Sequence, residues 1–283
     1  MTAGTAVKEL TAMDLFDLYL QEDIGEGDIT SQALVDDRDG LAIITSQQKG
    51  VLAGMEEAVE VFRRTGCQCI TLAKDGEQVT DGQKVLEVRG PLKGILAGER
   101  LALNFIMRMS GIATLTDQVV VSCRKVNPNV IIAATRKTTP GFRRFEKKAV
   151  RLGGGDPHRF GLDDAFLIKD NHLTVVGSVF RAVRKAQAHS FGKKVEVEVE
   201  TLEQAQEAAR ASADIIMLDN MTPPQAKECY VAIKAIDQKI TVEVSGGISP
   251  KNAKGYAMYA DVISMGALTH SASASSFSLH IVE

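Results

Sequence analysis

The sequence predicts an α/β protein in two parts: an N-terminal α+β domain, then a series of βα units. Three observations predict this. Up to about residue 110, strand-like and helix-like stretches mix without a fixed rhythm. From about residue 130, six short apolar runs, each ending in a polar residue or glycine, recur about every 20 to 35 residues with helical segments between them, the spacing of parallel βα units. The chain has 283 residues, 45% hydrophobic and 24% charged, enough for two domains or for one large α/β barrel with an appendage.

In chain order, residues 7–20 carry Leu10, Met13, Leu15, Phe16, Leu18 and Tyr19 on a roughly helical apolar face. "DIGEGDIT" ends that helix with two glycines. "LAIITSQQ" and "QKVLEVRG" read as strands, with "GMEEAVEVFRRTG" as a helix between them. "GERLALNFIMRMSGIATLTDQVVVSCRKV" reads as a long buried helix with Gly111 as its expected break. The six apolar runs are "VIIAATRK", "AFLIKDN", "KVEVEVE", "DIIMLDN", "ITVEVSGG" and "DVISMGA"; "LEQAQEAARAS" and "PPQAKECYVAIKAI" are intervening helices. Six repeats fit a barrel or a doubly wound sheet. No Gly-x-Gly-x-x-Gly follows a first strand, which speaks against a dinucleotide fold.

The chemistry-bearing residues sit at the ends of the strands, where a βα barrel builds its active site. Those ends offer Arg136 and Lys137, Lys169, Glu198 and Glu200, Asp219, then "SGG" and "MGA". In "KVEVEVE" the valines face one way and Glu196, Glu198 and Glu200 the other; in a barrel strand the glutamates point inward, where carboxylates require cations or a metal. Glu198 and Asp219 on successive strands are hard oxygen ligands of the kind that, with substrate phosphates, hold Mg²⁺. The two glycine-bearing ends suit a phosphate, bound by backbone N–H groups. Arg136, His158, Arg159 and Lys169 make a second anion site, for which guanidinium forks suit carboxylates. His172 reads equally as a ligand or a helix cap.

The net charge of −3 gives no reason to expect a nucleic-acid partner, but it hides an asymmetry. From Arg136 to His172 nine Lys/Arg face five Asp/Glu, so this segment is +4 and the remainder −7. Arg143, Arg144, Lys147, Lys148 and Arg151 have helical spacing and read as solvated helix surface. The four cysteines, Cys67, Cys69, Cys123 and Cys229, read as free thiols of a reducing compartment. No stretch approaches the ~18 apolar residues of a membrane span, and the first residues lack a basic start followed by an apolar run. A cytoplasmic protein without a membrane partner is expected.

"GERLALNFIMRMSGIAT", "TRKTTPGFRRFEKKAV", "GGGDPHRFGLDDAFLIKDNH", "EVEVETLEQA", "MLDNM", "VSGGIS" and "ISMGALTHSA" occur in order across nearly the whole chain. Together with "DIGEGDIT" they resemble the quinolinate phosphoribosyltransferase family. The resemblance implies an N-terminal α+β sandwich over 1–110, on which a tail at about 271–283 packs back, and an incomplete, open α/β barrel over 111–270. It implies transfer of phosphoribosyl from 5-phosphoribosyl 1-diphosphate to quinolinate with Mg²⁺, giving nicotinate mononucleotide, diphosphate and CO2 on the way to NAD. By the same resemblance, Arg136, His158, Arg159 and Lys169 hold the quinolinate carboxylates. Thr135, Lys137, Glu198, Asp219, Ser245, Gly246, Gly247, Met265, Gly266 and Ala267 serve the phosphoribosyl group and the metal, with Lys137, Lys169, Glu198 and Asp219 as the catalytic set. The family works as a homodimer or a multiple of dimers, and Arg100 would reach the neighbouring subunit's site. Ala134 and Pro157 stand where many members have Asp and Asn.

Three rival readings are weaker on the residues. A molybdate-transport-associated branch of the same family would use another acceptor, but "LIKDNH" resembles the quinolinate enzyme. "KDGEQVTDGQKVLEVRG" resembles a lipoyl or biotinyl hammerhead, yet Lys74 and Lys84 lack the flanking residues of a modified lysine. A nucleic-acid binder would want stacking platforms, and aromatic residues are only 5% with no tryptophan.

Overall fold

The computed structural model describes residues 12–282, in two compact units. One comprises the chain up to Gly111 and from Ala274; the other is Ile112–Ser273. Residues 7–11 of the expected first helix, with Leu10, lie outside the described residues.

In the first unit, helix α1 (Ala12–Ile24) stops at the glycine-containing turn, where Gly25 has φ 56°. Helix α2 (Ile29–Leu34) begins at Asp28, whose carboxylate accepts from the Thr30 and Ser31 backbone N–H groups. Strand β1 (Asp39–Ser46), the short β2 (Gly50–Val51), helix α3 (Met55–Arg64), strands β3 (Gln68–Thr71), β4 (Gln78–Val79) and β5 (Lys84–Pro91), and helix α4 (Leu92–Arg124) follow. The last strand, β12 (Phe277–Val282), returns from the C-terminus to pair antiparallel with β1, giving the sheet order β12-β1-β5-β3. Met55, Ala58, Val61 and Phe62 bury one stripe of α3, the face its spacing predicts.

Helix α4 runs unbroken through Gly111, contrary to the expected break. A lone helical glycine loses only about 1 kcal/mol of propensity, and the flanking Met109, Ile112 and Ala113 are wholly buried.

The second unit carries the six expected strands: β6 (Ile131–Ala133), β7 (Phe166–Ile168), β8 (Val195–Val199), β9 (Ile215–Asp219), β10 (Thr241–Ser245) and β11 (Val262–Ser264). Helices α5 (Arg143–Leu152), α6 (Asp170–Val176), α7 (Val179–His189), α8 (Leu202–Arg210), α9 (Pro223–Ile236) and α10 (Ala267–His270) lie between or after them. All the strand pairs are parallel, in the order β6-β11-β10-β9-β8-β7. Strand β6 pairs with β11 and not with β7, so the sheet curls toward closure and stays open between β6 and β7, an open α/β barrel. Gly153 follows α5 because nothing larger fits: a Cβ there would lie 2.3 Å from the Ala113 carbonyl oxygen. All four cysteines are free. Among the described residues no helix is long and apolar enough to cross a membrane.

Candidate active site

All six parallel strands end at one cavity of about 440 Å³. Thr135, Arg136 and Lys137 reach it just beyond β6, Lys169 just beyond β7, Glu198 from β8, Asp219 from β9, and Ser245, Gly246 and Gly247 from the end of β10. His158 and Arg159 enter from the turn after α5. Four of the residues expected at the site do not line this cavity. Arg100 is exposed on α4 in the other unit. Met265 is 2% exposed, inside the core. Gly266 lies against the lysine stem, where a Cβ would be 3.0 Å from Lys137 Cδ, and Ala267 opens α10.

One side of the cavity is cationic. Arg136 has no side-chain ion pair or hydrogen bond among the described residues, and its Nε is buried without a partner. Among the described residues the Arg159 side chain makes only a long hydrogen bond, 3.4 Å, to the Ala165 carbonyl. Burial, and then the neighbouring Arg136 charge, push the Arg159 pKa down. Two guanidinium groups close enough to repel, neither within salt-bridge distance of a carboxylate, call for an anion with more than one acceptor. Lys169 Nζ is 3.2 Å from Glu198 Oε2. His172 Nδ1 accepts the Lys169 backbone N–H at 3.0 Å, so this histidine caps α6 and fixes the base of the lysine.

The other side is acidic and close to backbone. Glu198 is half-buried, and Asp219 sits on the adjacent strand opposite Ser245. Asn220, at φ 55°, donates its amide to Asp219 Oδ2 at 2.6 Å. Gly246, at φ 77°, lets the loop approach: a Cβ there would meet the Asn220 nitrogen and Asp219 Oδ1, both at 2.6 Å. The oxygens of Glu198 and Asp219 fit Mg²⁺ by donor chemistry, and both side chains stand on the cavity wall.

Behind His158 lies a group the sequence reading did not assemble. Its backbone is held at φ 54° by a hydrogen bond from its N–H to Asp156 Oδ1, 2.6 Å. Its Nε2 is 3.1 Å from Glu243 Oε2 and 3.7 Å from Glu196 Oε2, and both glutamates are 1% exposed. Burial, then the charge of Glu243, push the Glu196 pKa up to about 8. For His158 burial acts to lower the pKa, but the Glu243 hydrogen bond and the two carboxylate charges outweigh it and raise the net value. The ligand atoms of the three residues lie within 4.8 Å of one another, close enough to chelate, but the direct imidazole–carboxylate contact accounts for the arrangement without a metal. The signal for Glu243 was present in "TVEVS", which repeats the alternation of "VEVEV" two strands away.

Not all the charge of α5 lies on a solvated surface. Arg144 and Arg151 are exposed, as expected of a solvated surface, but Glu146 and Lys147 are wholly buried. Glu146 accepts from the Thr139 N–H and hydroxyl, at 3.0 and 2.9 Å. Lys147 donates to the carbonyls of Pro157 and Arg159 and lies over the Phe160 ring. Burial, reinforced by Arg143, lowers its pKa to about 8. Consecutive residues of one helix thus fasten the two loops that carry Arg136–Lys137 and His158–Arg159.

Comparison with known proteins agrees with this architecture. Residues 28–110 match the model for the N-terminal domain of quinolinate phosphoribosyl transferase, and residues 112–280 match that for its C-terminal domain. A relative from Archaeoglobus fulgidus, named "Probable nicotinate-nucleotide pyrophosphorylase (carboxylating)", is 47% identical over 260 residues, 91% of this chain and 99% of its own. The Homo sapiens nicotinate-nucleotide pyrophosphorylase (carboxylating) is 40% identical over 242 residues, 85% of this chain and 82% of its own. The solved structure of the nicotinate-nucleotide pyrophosphorylase from Francisella tularensis superposes with a TM-score of 0.90 at 38% identity, covering 95% of each chain.

Proposed function

The chain belongs to the quinolinate phosphoribosyl transferase family, and from that premise we propose that its barrel cavity joins quinolinate to 5-phosphoribosyl 1-diphosphate with loss of CO2. It is a phosphoribosyltransferase of the carboxylating nicotinate-nucleotide pyrophosphorylase type, which serves NAD synthesis. The observation that carries the reading of its site is that Arg136 and Arg159, without a carboxylate in salt-bridge contact among the described residues, line one cavity together with Glu198 and Asp219. One side suits a planar dicarboxylate; the other suits a sugar that becomes cationic.

Arg136, His158, Arg159 and Lys169 bind and orient the two carboxylates, so that the pyridine nitrogen faces the anomeric carbon. The nitrogen lone pair forms the new C–N bond as the bond from that carbon to diphosphate breaks, and the electron pair leaves with diphosphate. Positive charge develops on the ribose, and Glu198 and Asp219 stabilise it from the wall. Backbone N–H groups at Ser245–Gly247 and the cation of Lys137 hold phosphate oxygens. Glu198 and Asp219 would hold Mg²⁺, which when bound would supply neutralising charge for the diphosphate. When the adjacent C–C bond breaks and CO2 departs, its electron pair stays on the ring carbon, stabilised by the positive charge of the neighbouring pyridinium nitrogen, and takes up a solvent proton. No acid–base dyad is needed, which agrees with a cavity built of fixed charges.

Arg100, exposed and outside this cavity, fits a role across a homodimer interface, completing the partner's site; a monomer by sedimentation would remove that part of the proposal. The cavity assignment is tested by equilibrium binding. Arg159→Ala is expected to weaken quinolinate binding about 100-fold, since it strands a charge-assisted, two-point contact, and 5-phosphoribosyl 1-diphosphate binding less than about 3-fold. Equal losses for both ligands would overturn it.

A further inference from the structure

We infer that Glu243, seconded by Glu196, is a positioning residue that holds the His158 ring in one orientation as a standing cation, and that this charge sets the preference for a dicarboxylate over a monocarboxylate acceptor. The inference rests on the quinolinate reading of the cavity and deepens it.

The geometry fixes His158 at both ends. Its backbone is held in the left-handed region by Asp156, a conformation that a non-glycine residue keeps only when its surroundings impose it. Its ring nitrogen Nε2 is tied to Glu243 Oε2 at 3.1 Å. The two glutamates arrive from β10 and β8, two strands apart in the sheet, and converge on one imidazole. Each has a second oxygen, Oε1, that is buried with no hydrogen-bond partner. With the Glu196 pKa pushed up to about 8 by burial and by Glu243, the two glutamates hold one negative charge between them near neutral pH, and His158, 3.1 Å from Glu243 and 3.7 Å from Glu196, stands as its counter-charge.

The charged groups acting on the imidazole are Glu243 from β10, Glu196 from β8 and Lys147 from α5, so two acids oppose one ammonium. Arg159, beside it on the same turn, faces the charge of Glu196 as well. A neutral imidazole would leave the buried Glu243 charge uncompensated and would take one positive charge from the substrate wall. A ligand with two carboxylates would lose more from that than a ligand with one.

The test is a histidine ¹⁵N NMR titration of the full chain, with His158 identified by the signal lost in His158→Asn. The wild-type imidazole is expected to be protonated at neutral pH, with Nε2 carrying a proton. In Glu243→Gln, which keeps the shape and removes the charge, its midpoint should fall by about one pH unit, ~10-fold in proton affinity. The quinolinate KM of this variant should rise several-fold near pH 8 and recover near pH 6, with the effect falling on KM and not on kcat. A wild-type His158 that is neutral at pH 7, an unmoved midpoint in the variant, or a KM rise equal at both pH values would overturn the inference. If Glu243→Gln does not fold, the wild-type titration decides alone. The NMR readings need no turnover, so a chain that fails to use quinolinate would sink the functional reading and leave these results separately readable.

Discussion

Individual side chains declared themselves in the sequence to the extent that their chemistry had no bland use. Arg136, Lys169, Glu198 and Asp219 stood at the ends of apolar runs, where a surface residue has no reason to recur, and the structure brings all four to one cavity. Glu146 and Lys147 were illegible for the opposite reason, and for Glu243 the strand alternation was visible but its partner was not. Lys147 has the helical spacing of a solvated face, and only the loop folded over it makes it a buried donor. Glu243 depends on a partner 85 positions away in the chain. At this scale the metal assignment has a direct check. Asp219→Asn keeps the size and the contact with Asn220 but removes an anionic oxygen, so the Mg²⁺ concentration giving half-maximal rate should rise by about 10-fold and turnover should fall. An unchanged Mg²⁺ response would take Asp219 out of the metal site.

Elements were legible where periodicity is strong. The six strands follow from apolar runs alone, and α3 and α8 from their stripes. Strand existence does not specify closure: barrel and doubly wound sheet share the same runs, and the pairing of β6 with β11 is a long-range event that no local pattern encodes. Helix α5 shows how an element can serve a site it does not enter. Its Glu146 and Lys147 anchor two loops, so Lys147→Met should strand two loop carbonyls, destabilise the fold by about 1–3 kcal/mol at neutral pH, and raise the quinolinate KM. The pH signature is specific. The Lys147 pKa is about 8 in the fold against an ordinary 10.5, so from pH 8 to 10.5 the unfolded chain binds more protons at this lysine and its contribution makes stability rise with pH. Denaturant unfolding across that window should show this rise in the wild type and lose it in Lys147→Met; identical pH slopes would refute a buried, depressed lysine.

The whole molecule combines a small antiparallel-sheet unit with an open parallel barrel, and the charges that line the cavity belong to the barrel. Its net charge of −3 says nothing of this; the distribution does, since a +4 segment from Arg136 to His172 supplies the anion side while the acids of β8 and β9 supply the other. These two sides are proposed to bring a dicarboxylate and a phosphoribosyl donor together for one coupled reaction. The most direct measurement uses quinolinate labelled in its 2-carboxyl group, with 5-phosphoribosyl 1-diphosphate and Mg²⁺, counting labelled CO2 against nicotinate mononucleotide by mass. The account predicts equal amounts of both, and no nucleotide when nicotinic acid replaces quinolinate. Nucleotide formed equally well from nicotinic acid, or no nucleotide from folded protein with both substrates bound, would contradict it.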